Sequence, residues 1–181
     1  MAQELLNVIL LYIAFLGLST SVALIPTDHF VVGDGHSIDF KSKDPSGSFK
    51  EMGGDIDFDE NNLDACKFNL KIEVSSISSG NGMQNKKAQT EEWFNAKKYP
   101  QIKFKSTKVE KKGSEYNITG ELTMKGVTKT VTIPTSVSGS GSKLTFKGNF
   151  NVNRMDYKVG KKSDIVPDVM KITFVVPAIK N

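Results

Sequence analysis

The sequence predicts an all-β fold: eight antiparallel strands closed into a barrel, with one helix in a connection. Three observations predict it. Apolar and polar residues alternate with period 2 through about eight segments, the pattern of strands with one buried face. Short Gly, Ser, Pro or Asp reversals join most of these segments, as in an antiparallel meander. Only MQNKKAQTEEWF, Met83 to Phe94, has helical composition, with Thr90 its one β-branched residue. One helix cannot cover eight strands, whereas closing the sheet covers its apolar face and removes both edges.

SIDFKSK, from Ser37 to Lys43, sets Ile38 and Phe40 on one face and Ser37, Asp39 and Lys41 on the other. DPSG, Asp44 to Gly47, is a turn, because Pro and Gly supply the dihedrals a reversal needs. SFKEMGGDIDFD, Ser48 to Asp59, resumes with Phe49, Ile56 and Phe58 inward. Its Gly53-Gly54 pair predicts a bulge or sharp bend. CKFNLKIEV is the cleanest strand, with Cys66, Phe68, Leu70, Ile72 and Val74 on one face. After the helix and Pro100, QIKFKS turns Ile102 and Phe104 inward.

YNITGELTM places Tyr116, Ile118, Gly120, Leu122 and Met124 in phase. A reversal at Lys125-Gly126 leads into VTKTVTIPTSV, Val127 to Val137, and SGSGS, Ser138 to Ser142, makes the next turn. KLTFKGNFNV alternates through Leu144, Phe146, Gly148 and Phe150. VMKITFVV, Val169 to Val176, closes the chain with Ile172 and Phe174 inward.

An eight-stranded interior can be filled by side chains or can hold one small ligand. Phe40, Phe58, Phe68, Phe104, Tyr116, Phe146, Phe150 and Phe174 all fall on the inward face, and so do Gly120 and Gly148. These residues build either a packed core relieved by glycines or an apolar tunnel. Alternation leaves both open.

The chain has 181 residues, enough for one domain with a real core. Residues 1–23 read as a signal peptide, with an apolar run from Leu5 to Leu18 and small residues Ser21 and Ala23 before the cut. The n-region lacks Lys and Arg, which is off-pattern and leaves two alternatives, a true start elsewhere or an uncleaved anchor. The mature domain is then 24–181. The 24 Lys and Arg give a net charge of +4 but are scattered, without the Arg cluster or aromatic-basic motif that tracks phosphates, so no nucleic-acid partner is expected.

Two His and a single Cys give no credible zinc set, and DIDFDENNLD lacks calcium-loop spacing, so no metal is expected. No nucleophile motif is present, and neither an enzymatic activity nor a cofactor is expected. Cys66 cannot form an intramolecular disulfide and reads as a buried, inert thiol. His29 has no identifiable partner. Three residues are candidates for a tunnel mouth: His36 at the first strand, Trp93 at the helix end, and Arg154, the sole arginine. Each has a structural alternative: a solvated strand end for His36, a packing anchor for Trp93, and a pair with Asp156 that orders the loop for Arg154.

WFNAKKYPQIKFKS followed by GELTMKGVTKTVT resembles the two signature stretches of the YceI-like family of bacterial periplasmic proteins. HSIDF, GGDIDFD and NRMDYKVG resemble further segments of that family, in the same order across about Asp34 to Lys180. The resemblance implies a lipocalin-like barrel that encloses a long apolar ligand of isoprenoid type, works without catalysis, and resides in the periplasm. It implies a tunnel lined by Phe40, Phe58, Phe68, Leu70, Ile72, Ile102, Phe104 and Tyr116. Ile118, Gly120, Leu122, Phe146, Gly148, Phe150, Ile172 and Phe174 complete that lining. Where the family often carries a basic or His-containing cluster at the helix start, this chain has Gln84, Asn85 and Lys87. Amides hold a charged head group less strongly, which leaves room for a quinone or a free lipid. An enzyme acting on the lipid and a filled barrel acting through protein contacts are the alternatives. A homodimer is compatible with either.

Overall fold

The structure, a computed structural model, describes residues 27–181. The expected signal peptide therefore lies outside the described residues.

Eleven strand segments form one antiparallel sheet. They are β1 (Asp28–Val32), β2 (Ser37–Lys41), β3 (Ser46–Phe49), β4 (Met52–Phe58), β5 (Lys67–Glu73) and β6 (Ile77–Ser78). After helix α1 (Gly82–Ala88) come β7 (Gln101–Lys112), β8 (Glu115–Met124), β9 (Val127–Ser140), β10 (Lys143–Asn153) and β11 (Val169–Lys180). The ring β1-β4-β5-β7-β8-β9-β10-β11 closes where Phe30 pairs with Lys180 and Val32 with Ala178. β2, β3 and β6 prolong β1, β4 and β5 beyond local breaks, so the barrel has eight staves. That is the architecture the alternation predicts.

The breaks have identifiable causes. β1 and β2 are separated at Gly33–His36, where Gly35 has φ +81°. The stretch Ser48 to Asp59 is two segments, interrupted at Lys50-Glu51. There the Ser76 hydroxyl accepts from both backbone N–H groups, at 3.1 and 3.0 Å, and donates to the Glu73 carbonyl at 2.6 Å. A side chain thus replaces the ladder. The expected bulge at Gly53-Gly54 is absent, since β4 pairs with β5 without a shift from Met52↔Ile72 to Asp57↔Lys67. Glycine is needed at 54 because φ is +134° and a Cβ would lie 2.1 Å from the Asn69 carbonyl oxygen. The bulge falls instead between Ser106 and Lys108 on β7. At its edge, the Ser106 hydroxyl accepts from the Phe68 N–H at 2.8 Å.

The helix is shorter than its composition suggests. It starts at Asn81, whose side chain accepts from Met83 N and Gln84 N, and ends at Ala88. Thr90 donates to the Lys87 carbonyl at 2.7 Å, and successive turns carry the chain to Asn95 at φ 51°. These turns send Phe94 against Phe49 (edge-on, 5.9 Å) and Trp93 against Gly160. A continuous helix through Phe94 would not separate the two rings in this way.

Connections alternate between the barrel ends. Ser42–Pro45, Val74–Pro100, the tight turn at Lys125-Gly126 and Arg154–Asp168 lie at one end. Asp59–Cys66 and the turns at Gly113-Ser114 and Gly141-Ser142 lie at the other. That second end is closed from within by Phe58, Phe68, Tyr116 and Phe146. Their rings meet edge to face at 5.3 to 6.5 Å, the arrangement the ring quadrupole favours.

Candidate functional site

Above this aromatic floor the barrel is not filled. An inner chamber of about 100 Å³ lies on Phe68 and Phe146, and an outer one of about 330 Å³ reaches the open end. Ile38, Ile72, Ile102, Leu122, Phe150 and Ile172 border both chambers and form a ring between them. Two ladder registers build part of that ring, Ile72 opposite Ile102 and Phe150 opposite Ile172. Strand alternation aims every second side chain inward, so the wall is predominantly apolar from floor to mouth, with Thr135 in the inner chamber and Ser79, Asn85 and Arg154 in the outer one.

The predicted lining residues divide by depth. Ile72, Ile102, Leu122, Phe150 and Ile172 stand on the ring, while Phe68, Leu70, Phe104, Ile118, Phe146 and Phe174 line the inner chamber. Phe40 lines the outer one. Four residues border neither chamber. Phe58 and Tyr116 are spent on the floor. Gly120 and Gly148 are covered by phenyl rings: a Cβ at 120 would lie 2.7 Å from Phe104 Cζ, and one at 148 would lie 2.7 Å from Phe174 Cζ. The glycines seat rings instead of widening the cavity.

The mouth candidates also separate. His36 borders neither chamber. Its ring nitrogens lie 3.2 Å from the carbonyls of Gly33 and Lys50, so it joins the breaks in two adjacent staves. Trp93 lines the outer chamber, and its Nε1, out of solvent, has no hydrogen-bond partner among the described residues. Arg154 also lines that chamber, but it is 4% exposed and all five of its N–H donors are used. Nε donates to Pro167 O, one terminal nitrogen to Val159 O and Met155 Sδ, and the other to Val166 O and Asp168 Oδ1. The expected partner Asp156 is replaced by Asp168 at 3.1 Å. Arg154 thus ties the 158–168 loop to the barrel and has no donor left for a head group.

Lys125 makes a second tie. Its ammonium donates at 2.8 Å to the carbonyls of both Glu92 and Lys158, and burial pushes its pKa below the ordinary lysine value. Around the opening, Asp44, Gln84, Lys87 and Ile165 combine an exposed surface with contact to the outer chamber. Asn85 is occupied, accepting at 2.8 Å from the backbone N–H and the hydroxyl of Ser79. His29, without a partner at the level of sequence, lies 2.8 Å from Asp57 Oδ1 across the β1–β4 ladder. Cys66 is buried, accepts from Asp59 N at 3.3 Å, and has its pKa raised by burial.

Several lining residues were not singled out as site residues. Ile38, Met124, Val152 and Met170 border the cavity and share parity with residues that were, so extending the alternation would have found them. Pro45, Ile165 and Val166 come from loops and carry no periodic signal.

Comparison with known proteins agrees with this architecture. Protein YceI of Escherichia coli O157:H7 is 32% identical over 136 residues, 72% of this chain and 70% of that protein. The UPF0312 protein plu2095 of Photorhabdus laumondii is 39% identical over 95 residues, 52% of this chain; the match spans 50% of that relative, about half its length. The crystal structure of Burkholderia cenocepacia BcnA superposes with a TM-score of 0.74 at 32% identity, covering 78% of this chain and 95% of that one. A polyisoprenoid binding domain from Saccharophagus degradans shares the fold, with a TM-score of 0.67 at 12% identity over 86% of this chain and 99% of that one. The YceI-like domain model matches residues 26–178, essentially the whole described barrel, and the chain belongs to the YceI-like family.

Proposed function

We propose that the protein is a non-catalytic carrier that holds an isoprenoid-type lipid in the two-chamber cavity after export to the periplasm. The observation that carries this reading is the predominantly apolar wall from the aromatic floor to a mouth edged by Gln84, Lys87 and Asp44. A prenyl chain has no hydrogen-bonding groups along its length, so its binding comes from apolar burial, at about 25 cal/mol per Å². Such a wall suits it, and polar groups are needed only where the head emerges. The polyisoprenoid-binding description of the Saccharophagus neighbour supports the ligand class. The apolar run Leu5 to Leu18 supports export. With the donors of Arg154 all engaged, a weakly charged head such as a quinone or free alcohol suits the mouth better than a pyrophosphate.

The test is organic extraction of the purified chain followed by mass spectrometry. A stoichiometric prenyl lipid is the expected result. Protein that is empty as isolated, and that takes up no isoprenoid quinone from detergent, would sink the reading.

A further inference from the structure

We propose that the open end of the barrel docks on an anionic lipid bilayer, which places the cavity mouth at the membrane surface. This rests on the lipid-cavity reading and concerns where the ligand enters and leaves.

Charge is divided along the barrel axis. The four connections at the open end carry ten Lys or Arg against six Asp or Glu. At the closed end, Asp59–Cys66 carries Asp59, Glu60 and Asp64 with no basic residue, and the other two turns are themselves uncharged, with Lys111, Lys112, Glu115 and Lys143 at their flanks. The basic excess continues onto the adjoining staves. Lys41 stands directly opposite Lys171, and Lys71 opposite Lys103. Like charges facing across a ladder work against the sheet, so the fold gains nothing from these pairs, whereas an anionic surface would offset them.

Apolar exposure follows the same axis. Of the four large apolar side chains most open to solvent among the described residues, Met83 (79%), Ile165 (72%) and Val169 (51%) lie at the open end. Ile165 is at once exposed and part of the cavity wall, and Met83 precedes Gln84, a second exposed residue of that wall. Exposed apolar tips set among lysines are the composition of a surface that rests in the headgroup layer. A water-filled path from bilayer to mouth would expose the lipid tail; direct seating of the opening avoids that. Charge sign and apolar tips together favour a bilayer, which offers an acidic surface and an apolar interior at the same place.

The experiment places an environment-sensitive NBD label on the full chain through Ile165→Cys, with Ser142→Cys at the closed end as comparison; Cys66 is buried and stays unlabelled. Vesicles of phosphatidylglycerol and phosphatidylcholine are compared with phosphatidylcholine alone. The expected result is a blue shift and a gain of about threefold in emission for the Ile165→Cys label with anionic vesicles only, reversed by high salt. Lys161→Glu with Lys162→Glu should abolish most of that gain. No response at position 165, or an equal one at position 142, overturns the proposal, since either means the mouth is not the face presented. Because both labels share the same N-terminal segment, insertion of that segment alone cannot mimic the expected difference. Lipid content, measured by extraction on the same preparations, reports separately on the cavity reading.

Discussion

The Arg154 guanidinium lies 5.6 Å from the centre of the Trp93 ring. The same group holds the Val159, Val166 and Pro167 carbonyls and the Asp168 carboxylate. The sole arginine and the sole tryptophan of the chain therefore join two connections, Val74–Pro100 and Arg154–Asp168, at the mouth.

Replacing Arg154 with Met keeps the stem but leaves three carbonyls and a carboxylate without their donor. The expected loss is about 2–4 kcal/mol of stability, the range for breaking a buried charged network. Trypsin should also cut faster at Lys158, Lys161 and Lys162. Lys at 154 should fall between, because an ammonium offers three donors in place of the planar fork. Chemical denaturation and timed digestion measure both. Unchanged digestion would show that the loop is held by something else.

Gly120→Ala should destabilise the barrel instead of selectively blocking ligand. The new Cβ would lie 2.5 Å from the Lys105 carbonyl oxygen and 2.7 Å from Phe104 Cζ, so backbone and ring must both shift. Overpacking of this kind costs about 1–3 kcal/mol. A denaturation midpoint equal to that of the parent chain would contradict the close fit.

Leu122→Trp makes the opposite kind of change. Leu122 stands on the ring between chambers and faces empty volume on both sides. Added bulk there enters cavity space, so the cost should fall at or below the low end of the about 1–3 kcal/mol that overpacking a filled core costs, while passage to the inner chamber is blocked. Extracted lipids should shift toward shorter tails. An unchanged tail distribution would mean that the ligand never passes the ring.

Cys66 should resist thiol reagents at neutral pH in the native state and react once the chain is unfolded. Its pKa is raised above the ordinary 9.0 chiefly by burial, so the folded state holds the proton more tightly than the unfolded one. The associated stability is complete below pH 9.0 and is lost as pH rises through the folded value. Burial raises Tyr157 from 10.0 in the same sense. Denaturation midpoints should therefore fall on the alkaline side, and Cys66→Ala should flatten the start of that fall.

Much of the barrel wall was legible because strand alternation is a local signal. Phe68, Leu70, Ile72, Ile102, Phe104, Ile118 and Leu122 could be assigned to the inner face from parity alone, and they line the chambers. Parity does not tell a lining residue from a floor residue. Phe58 and Tyr116 share the inward face with Phe68, yet their rings close the end, which depends on how the staves stagger around the ring. Nor does parity show that Phe104 folds over Gly120, because that contact runs diagonally between β7 and β8, where Phe104 pairs with Leu122 and Gly120 with Ser106.

The sequence by itself determined the number of staves, which side chains point inward, and the family, since each is written in short-range pattern and ordered motifs. Tertiary structure decided that the interior is hollow, because volume depends on how eight faces meet. It also decided the role of Arg154. Its donors are satisfied by carbonyls 5 to 13 residues away and by the Asp168 carboxylate, 14 away, along a loop with no periodicity, and only closure of that loop brings them within reach.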